Sequence, residues 1–463
     1  MRRMARTTTA LATAGLVLAA CGGDDGGSGS GSEGGGPLVV WTLENLPDRL
    51  AAQQELAAAF SAESGVQVEL VGVDGAQFTQ LITSAAASDE LPDVVGAMPL
   101  AAVQNLAVNE LLDTDTAATV VEALGEDTFA EQALALTRDG DTQLAVPSDG
   151  FAQLLLYRRD LFEAAGLAEP SSYEAIRAAA EALAPQLPGY VGSTIPGDEF
   201  TEQTFEHFAL ANGCQLTDDA GDPSLDSPEC VATFSFYDDL IRNYSVPGAQ
   251  DADTTRAGYF AGEAAMVTWS SFILDELAGL REDAKPSCPE CVADPRFLVD
   301  NTGIVTGIEG PDGDGAAEFG EVVSWAVVAD ANADPASRFV QHMMSTAYTD
   351  WLGFAPEGKF PARAGTAESP TEYVDAWRTL PAGVDTKAPL ADYYPQELLD
   401  ELAGTLDGLQ RWGLPGQGAL VGAARGELPV AEQVAEMTGG GIGPEDAARA
   451  ADEAVTRIKD DLE

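Results

Sequence analysis

The stretch LVVWTLENLPDRLAAQQELAAAFSAESGVQVEL, residues 38–70, decides the fold class. Leu38-Val39-Val40-Trp41 is an apolar run of strand length, Pro47 suits the first turn of a helix reaching Ser64, and Gly65 is a C-terminal stop. Val66 to Leu70 then alternates apolar and polar residues, the period of a half-buried strand. Strand, helix and strand in this order form a βαβ unit. A second helix over Phe78 to Ser88 and a strand at Asp93-Val94-Val95 extend it, so the chain opens as a parallel sheet covered by helices.

Further on, helical segments run to Leu136 and a strand follows at Thr142 to Val146. The apolar run Ala152 to Tyr157 leads into a short helix, Arg158 to Ala165, closed by Gly166. Ser171 and Glu174 have capping-box spacing, ahead of a helix with Tyr173, Ile176, Ala180 and Leu183 on one face. Phe234, Tyr237, Ile241 and Tyr244 form a similar stripe, read as core. Residues 285–315 are rich in Pro, Gly, Asp and Cys and predict an irregular crossing with a turn at Asp312-Gly313. Val322 to Val328 predicts a strand, Pro335 to Met344 a helix, and Pro444 opens a final helix with Ala451, Val455, Ile458 and Leu462 on one side.

At 463 residues the chain is long enough for at least two substantial cores. Its net charge of -53 argues against nucleic acid, which demands a basic face, and most of its carboxylates read as solvated surface. Residues 1–20 are an exception, with Arg2, Arg3 and Arg6, no acid, and an apolar stretch from Ala10 to Ala20 that is too short to span a membrane. Together with Leu18-Ala19-Ala20-Cys21 they resemble a bacterial lipoprotein signal with its lipobox. That resemblance implies cleavage before Cys21 and acylation of its sulfur, a stable anchor once two chains are present. Residues 21–36 follow as a Gly/Ser-rich tether.

An exported chain with four further cysteines favours disulfides, paired here as Cys214 with Cys230 and Cys288 with Cys291. Two alternatives stay open at this point. A four-cysteine zinc site would use the Cys-Pro-Glu-Cys spacing, and a thioredoxin-like redox role would use the same motif.

Val146-Pro147, Leu154 to Leu167 and Tyr173-Glu174 resemble the most recognisable block of the family 1 extracellular solute-binding proteins of ABC importers, the maltose-binding-protein-like group. Arg158 stands where that family usually has Asn. Phe260 to Val267 with Trp269 resembles a second block, with Glu263 in place of the usual Lys. Phe360-Pro361-Ala362-Arg363 and Pro444 to Ile458 resemble two more. The resemblance implies an α/β fold of two hinged lobes, each a mixed sheet flanked by helices. Lobe one takes 37–148 plus 310–370, and lobe two takes 149–309 plus 371–463. It also implies a small-molecule ligand held in the cleft, permease subunits as partners, and an extracytoplasmic, lipid-anchored monomer without cofactor or catalysis.

Open α/β sheets bind ligands beyond the carboxyl ends of their strands, which puts Trp41 and Glu44 over the cleft. A sugar needs an aromatic plane and fixed polar groups, and these two residues offer both. The positions matching family contact regions are Asp149, Phe151, Trp269, Ser270, Trp325 and Arg363. Each is also readable as core or as a loop cap. A polyamine or another non-sugar solute is the alternative cargo, suited to an acidic cleft, and a secreted carboxylate-dependent glycoside hydrolase is the alternative class. Against an enzyme, His207 and His342 both read as helix-face residues, and no zinc, nucleophile-elbow or phosphate-loop motif is present. Asp312-Gly313-Asp314 reads as a turn, lacking the further ligands of a calcium loop.

Overall fold

The apolar runs of the sequence come together in one eight-stranded mixed sheet, seen in a computed structural model that describes residues 36–413 and 417–462. Residues 1–35, where a signal segment, Cys21 and a tether are expected, lie outside the described residues. Strand β1 (Leu38–Thr42) pairs in parallel with β2 (Val68–Gly72) on one side and β3 (Val94–Pro99) on the other. The helix between the first two, α1 (Pro47–Ser64), has Pro47 in its first turn and ends at Gly65, whose φ of 77° is the left-handed cap that glycine adopts freely. It buries Gln53, Ala57 and Phe60, one stripe at helical spacing. Helix α2 spans Phe78–Ser88 as expected, while β2 begins two residues later than the alternation suggested.

After β3 the chain enters α3 (Leu100–Val108), then a hairpin over residues 138–143, and then β4 (Val146–Arg158), the strand that organises the molecule. Its first half pairs with β7 (Gly320–Val327), from Val146 opposite Trp325 to Ala152 opposite Gly320. There it also meets β8 (Phe360–Pro361) at Gly150 and Asp149. Its second half pairs with β5 (Met266–Ser270) and β6 (Thr302–Val305), from Gln153 opposite Ser270 to Arg158 opposite Thr302. One strand thus belongs to two strand groups, the path running β8-β4-β7-β3-β1-β2, with β5 and β6 attached to the far half of β4. Strand β6 corrects the expectation of irregular structure across 285–315: the hydrogen-bonding partner that makes this stretch a strand is more than a hundred residues away.

Two glycines let backbones close up at the heart of this arrangement. A Cβ at Gly150 would lie 2.3 Å from the carbonyl oxygen of Glu321, and one at Gly96 would lie 2.2 Å from the ring of Trp325. Around the far half of β4 pack α4 (Glu199–Ala211) and the helices Tyr173–Leu183 and Pro228–Tyr244. Ser172, not Ser171, caps the first of these two, its hydroxyl accepting from the Ala175 N–H, so the expected capping box does not form. Short helix α5 (Ile273–Leu277) follows β5. Near the end of the chain α6 (Gly418–Glu427) lies along α3, and α7 (Pro444–Leu462) buries Ala451, Val455 and Ile458 but leaves Leu462 exposed. Cys214 is bonded to Cys230 and Cys288 to Cys291, the expected pairing, and four sulfurs so bonded are not available as the thiolates a four-cysteine zinc site requires.

Candidate functional site

The two strand groups meet at the middle of β4, residues 149–153. Here the N–H of Ser271 donates to the Ala152 carbonyl at 2.7 Å, and the N–H of Gln153 donates to the Phe319 carbonyl at 2.7 Å. Phe151, at the crossing, lies 5.6 Å from Phe272, the residue that leads into α5. A Cβ on Gly358 would stand 2.1 Å from the Phe272 ring, so the turn before β8 closes against α5.

On the first side of this junction, Lys359 Nζ is 3.0 Å from Glu44 and 3.2 Å from Asp149, and 4.2 Å above the ring of Trp351. Asp149 also accepts from Trp351 Nε1 and Ser148 Oγ, both at 2.6 Å. Arg49, in the first turn of α1, donates to Glu44 at 2.7 Å. Burial works against ionisation of Glu44, but Lys359 and Arg49 together outweigh it and hold the carboxyl down at about 2.

The second side is acidic, and there the nearby arginines do not outweigh burial. Asp275 and Glu276 on α5, with Glu357 in the turn before β8, are all nearly enclosed. Burial pushes Glu357 up to about 8, with Asp275 adding to it. Burial likewise raises Asp275 to about 6 and Glu276 to about 7, although Arg281 opposes the first shift and Arg256, at 2.7 Å, the second. Both carboxylate oxygens of Asp275, Oε2 of Glu276 and Oε2 of Glu357 find no hydrogen-bond partner among the described residues, nor do Ser271 Oγ and Gln153 Oε1. Buried acceptors left unpaired are rare and cost about 1–3 kcal/mol each, so a cluster of them is a place prepared for hydrogen-bond donors.

A second buried network ties the strand groups together. Arg411 donates to Glu321 Oε2 at 2.5 Å and to the Gly320 carbonyl at 2.8 Å, both on β7, and its Nε lies 3.4 Å from Glu206 on α4. Glu206 also receives Arg425 of α6 at 2.6 Å, and Glu321 accepts from the N–H of Leu100, the first residue of α3, at 3.0 Å. Burial opposes ionisation of Glu206, yet the two arginines lower its pKa. Beyond Arg411, between α3, the 138–143 hairpin and the end of α4, lies a cavity of about 700 Å³.

The residues singled out from sequence occupy different settings. Glu44 and Asp149 are brought together on Lys359, and Phe151 meets Phe272. Trp41 is half-buried in β1, between Val71 and Val95. Ser270 faces Gln153 across the strand pair. Trp269 donates from Nε1 to the Ala252 carbonyl at 2.9 Å, packs 5.6 Å from Phe200 and lies under Arg256, the partner of Glu276. Trp325 is enclosed, 5.0 Å from Trp351 and 5.8 Å from Phe339. Arg363 is enclosed as well, its donors taken by the Leu124 and Met344 carbonyls and by Thr128 Oγ1. His207 is enclosed on α4, where burial lowers its pKa to about 4.

Sequence reasoning missed Arg49, Phe272, Asp275, Glu276, Glu357 and Lys359. Some signal existed: Asp275-Glu276 interrupts the apolar run from Phe272 to Leu277, and Lys359 is one of only four lysines in a strongly acidic chain.

The family model described as bacterial extracellular solute-binding protein matches residues 55–382. YcjN of Escherichia coli (strain K12), named as an ABC transporter periplasmic-binding protein, is 27% identical over 334 residues, covering 70% of this chain and 72% of that one. Among solved structures, an ABC transporter solute-binding protein of Agrobacterium radiobacter K84 in complex with ribitol superposes with a TM-score of 0.66 at 18% identity, covering 91% of this chain and 100% of that one. The maltose-bound MalE3 of T. maritima gives 0.66 at 16% identity, covering 91% and 99%. Both share the two-lobe α/β fold seen here.

Proposed function

This chain belongs to the bacterial extracellular solute-binding proteins, and from that premise we propose that it captures a sugar or polyol where its two strand groups meet and delivers it to an ABC importer. The observation that supports this most is the set of buried, unpartnered oxygens on Gln153, Ser271, Asp275, Glu276 and Glu357. Hydroxyl groups of a polyol both donate and accept, which suits carboxyls that hold or release a proton near neutrality, and Phe151 and Phe272 supply an apolar face for its C–H side. The ribitol and maltose bound by structural neighbours belong to the same chemical class.

In this reading the body on the β1–β3 side of the β4 crossing is lobe one, with 37–148 and 310–370, and lobe two takes 149–309 and 371–463. A ligand drives closure only if it contacts the closed state better than the open one, which a site fed from both sides of β4 accomplishes. Cleavage before Cys21 and its acylation would leave a monomeric body tethered outside the membrane by residues 21–36. The chain binds its solute and releases it unaltered.

A second reading, a polyamine as cargo, draws on the same carboxylates, since ammonium groups also satisfy bare acceptors. Calorimetric titration of the full chain in detergent with maltose, ribitol and spermidine separates the two. Heat with maltose or ribitol, and a smaller radius of gyration at saturation, is the expected result. Heat with spermidine alone moves the assignment to the second reading, and a solute recovered chemically altered overturns both.

A further inference from the structure

The cavity beyond Arg411 is separate from the junction: none of Glu44, Phe151, Phe272, Asp275 or Glu357 lines it. Its volume of about 700 Å³ lies inside the range of about 300–1,000 Å³ common for small-ligand sites. Four glutamines reach it from four separate segments: Gln104 on α3, Gln132 on the helix Glu131–Leu136, Gln215 after α4, and Gln410 beside Arg411. Gln104 Oε1 is buried without a partner, and so is Nη2 of Arg411, whose other nitrogens are held by Glu321, Glu206 and the Gly320 carbonyl. One side chain with an unpaired acceptor and one with an unpaired donor, both more than nine-tenths buried, therefore line the same space.

The chemistry of the wall selects a ligand class. Arg411 is neutralised by two carboxylates, Arg138 is paired with Glu126 at 2.7 Å, and Glu110 and Asp139 also stand on the wall, so among the described residues no unpaired cation is left for an anionic guest. Amides both donate and accept, which suits hydroxyls and amides of an uncharged molecule. We propose that this cavity is a second ligand site, taking a neutral, hydroxyl-rich molecule of mono- or disaccharide size. An occupant would touch α3 and the hairpin on one side and Leu210 and Gln215 on the other, so it bears on the same tie that Arg411 makes between β7 and α4.

The test is calorimetric stoichiometry on the full chain in detergent, with maltose and ribitol as probes, for the parent chain and for Gln104→Leu, Ala107→Phe and Phe272→Ala. Gln104→Leu removes the orphan acceptor, Ala107→Phe fills the space while keeping the Gln104 amide in the chain, and thermal unfolding controls for folding. The expected result is two equivalents bound by one probe, with one equivalent weakened at least tenfold by both cavity variants and the other by Phe272→Ala. A single equivalent sensitive to the cavity variants but indifferent to Phe272→Ala would support the cavity while removing the junction site proposed above. A single equivalent indifferent to both cavity variants, or no binding of either probe, overturns the second site.

Discussion

Lys359 and Asp149 form an enclosed ion pair, Nζ to Oδ2 3.2 Å, across 210 residues of sequence. It stands where β8 meets β4, and Lys359 carries Glu44 as a second carboxylate partner. Burial disfavours the ammonium, but the two carboxylates outweigh it and raise the Lys359 pKa. Lys359→Met removes the charge that both acids share and leaves Asp149 enclosed without an ion-pair partner among the described residues. Loss of one partner of a buried pair costs about 3–5 kcal/mol, and urea unfolding should show a loss of that order. A loss below about 1 kcal/mol would mean the pair is only incidental.

Stability should depend on pH in a direction set by the acidic side of the junction. Glu276 and Glu357 have folded-state pKa values of about 7 and 8, above their unfolded values near 4.5, so the folded chain binds more protons in between. Their contribution is complete below about pH 4.5 and is lost as the pH rises through 7 and 8. Glu44, held down at about 2, acts oppositely, its contribution being present above about pH 4.5 and lost as the pH falls toward 2. The melting temperature should therefore fall between pH 5 and 9, and Glu357→Gln should flatten that fall. An unchanged slope in the variant would assign the pH dependence to other groups.

The tie made by Arg411 joins β7 to α4 and, through Glu321, to the first turn of α3. In Arg411→Met, Glu206 keeps Arg425, but Glu321 loses its cation. Hydrogen exchange should quicken at Leu100 and Trp412, whose N–H groups donate to Glu321 and Glu206. Protection unchanged at Leu100 would show that the contact between α3 and α6 holds the region without the arginine.

The two disulfides should differ in worth. Cys214 and Cys230 are 16 residues apart and Cys288 and Cys291 are 3 apart. In the chain-entropy model the longer loop contributes about 3 kcal/mol and the shorter about 2. Chemical denaturation of Cys214→Ser/Cys230→Ser should show the larger loss, and equal losses would point to packing around the enclosed sulfurs instead.

Short-range instructions made several elements legible in advance. Pro47 and Gly65 bracket α1 because one has no N–H to give and the other accepts a left-handed φ, and both act on their own turn of chain. The terminal helix and the aromatic stripe at Phe234 and Tyr237 were readable for the same reason, a period of 3.6 residues being a local property. The disulfide partners followed from compartment and nearness along the chain.

Tertiary structure decided the rest, because it depends on partners the chain meets only after folding. That Val146 to Arg158 is one strand serving two groups was hidden by Asp149-Gly150 in its middle, whose ladder is completed by β7, β8 and Ser271. Trp325 and Phe151 are both aromatics on strands, yet one is sealed behind Gly96 and the other meets Phe272 at the crossing. Asp149 and Asp275 are identical side chains, but one lies beside Lys359 and the other has two bare oxygens. A carboxylate's role follows from the dielectric and the charges around it, and those are supplied by residues brought near from far along the chain.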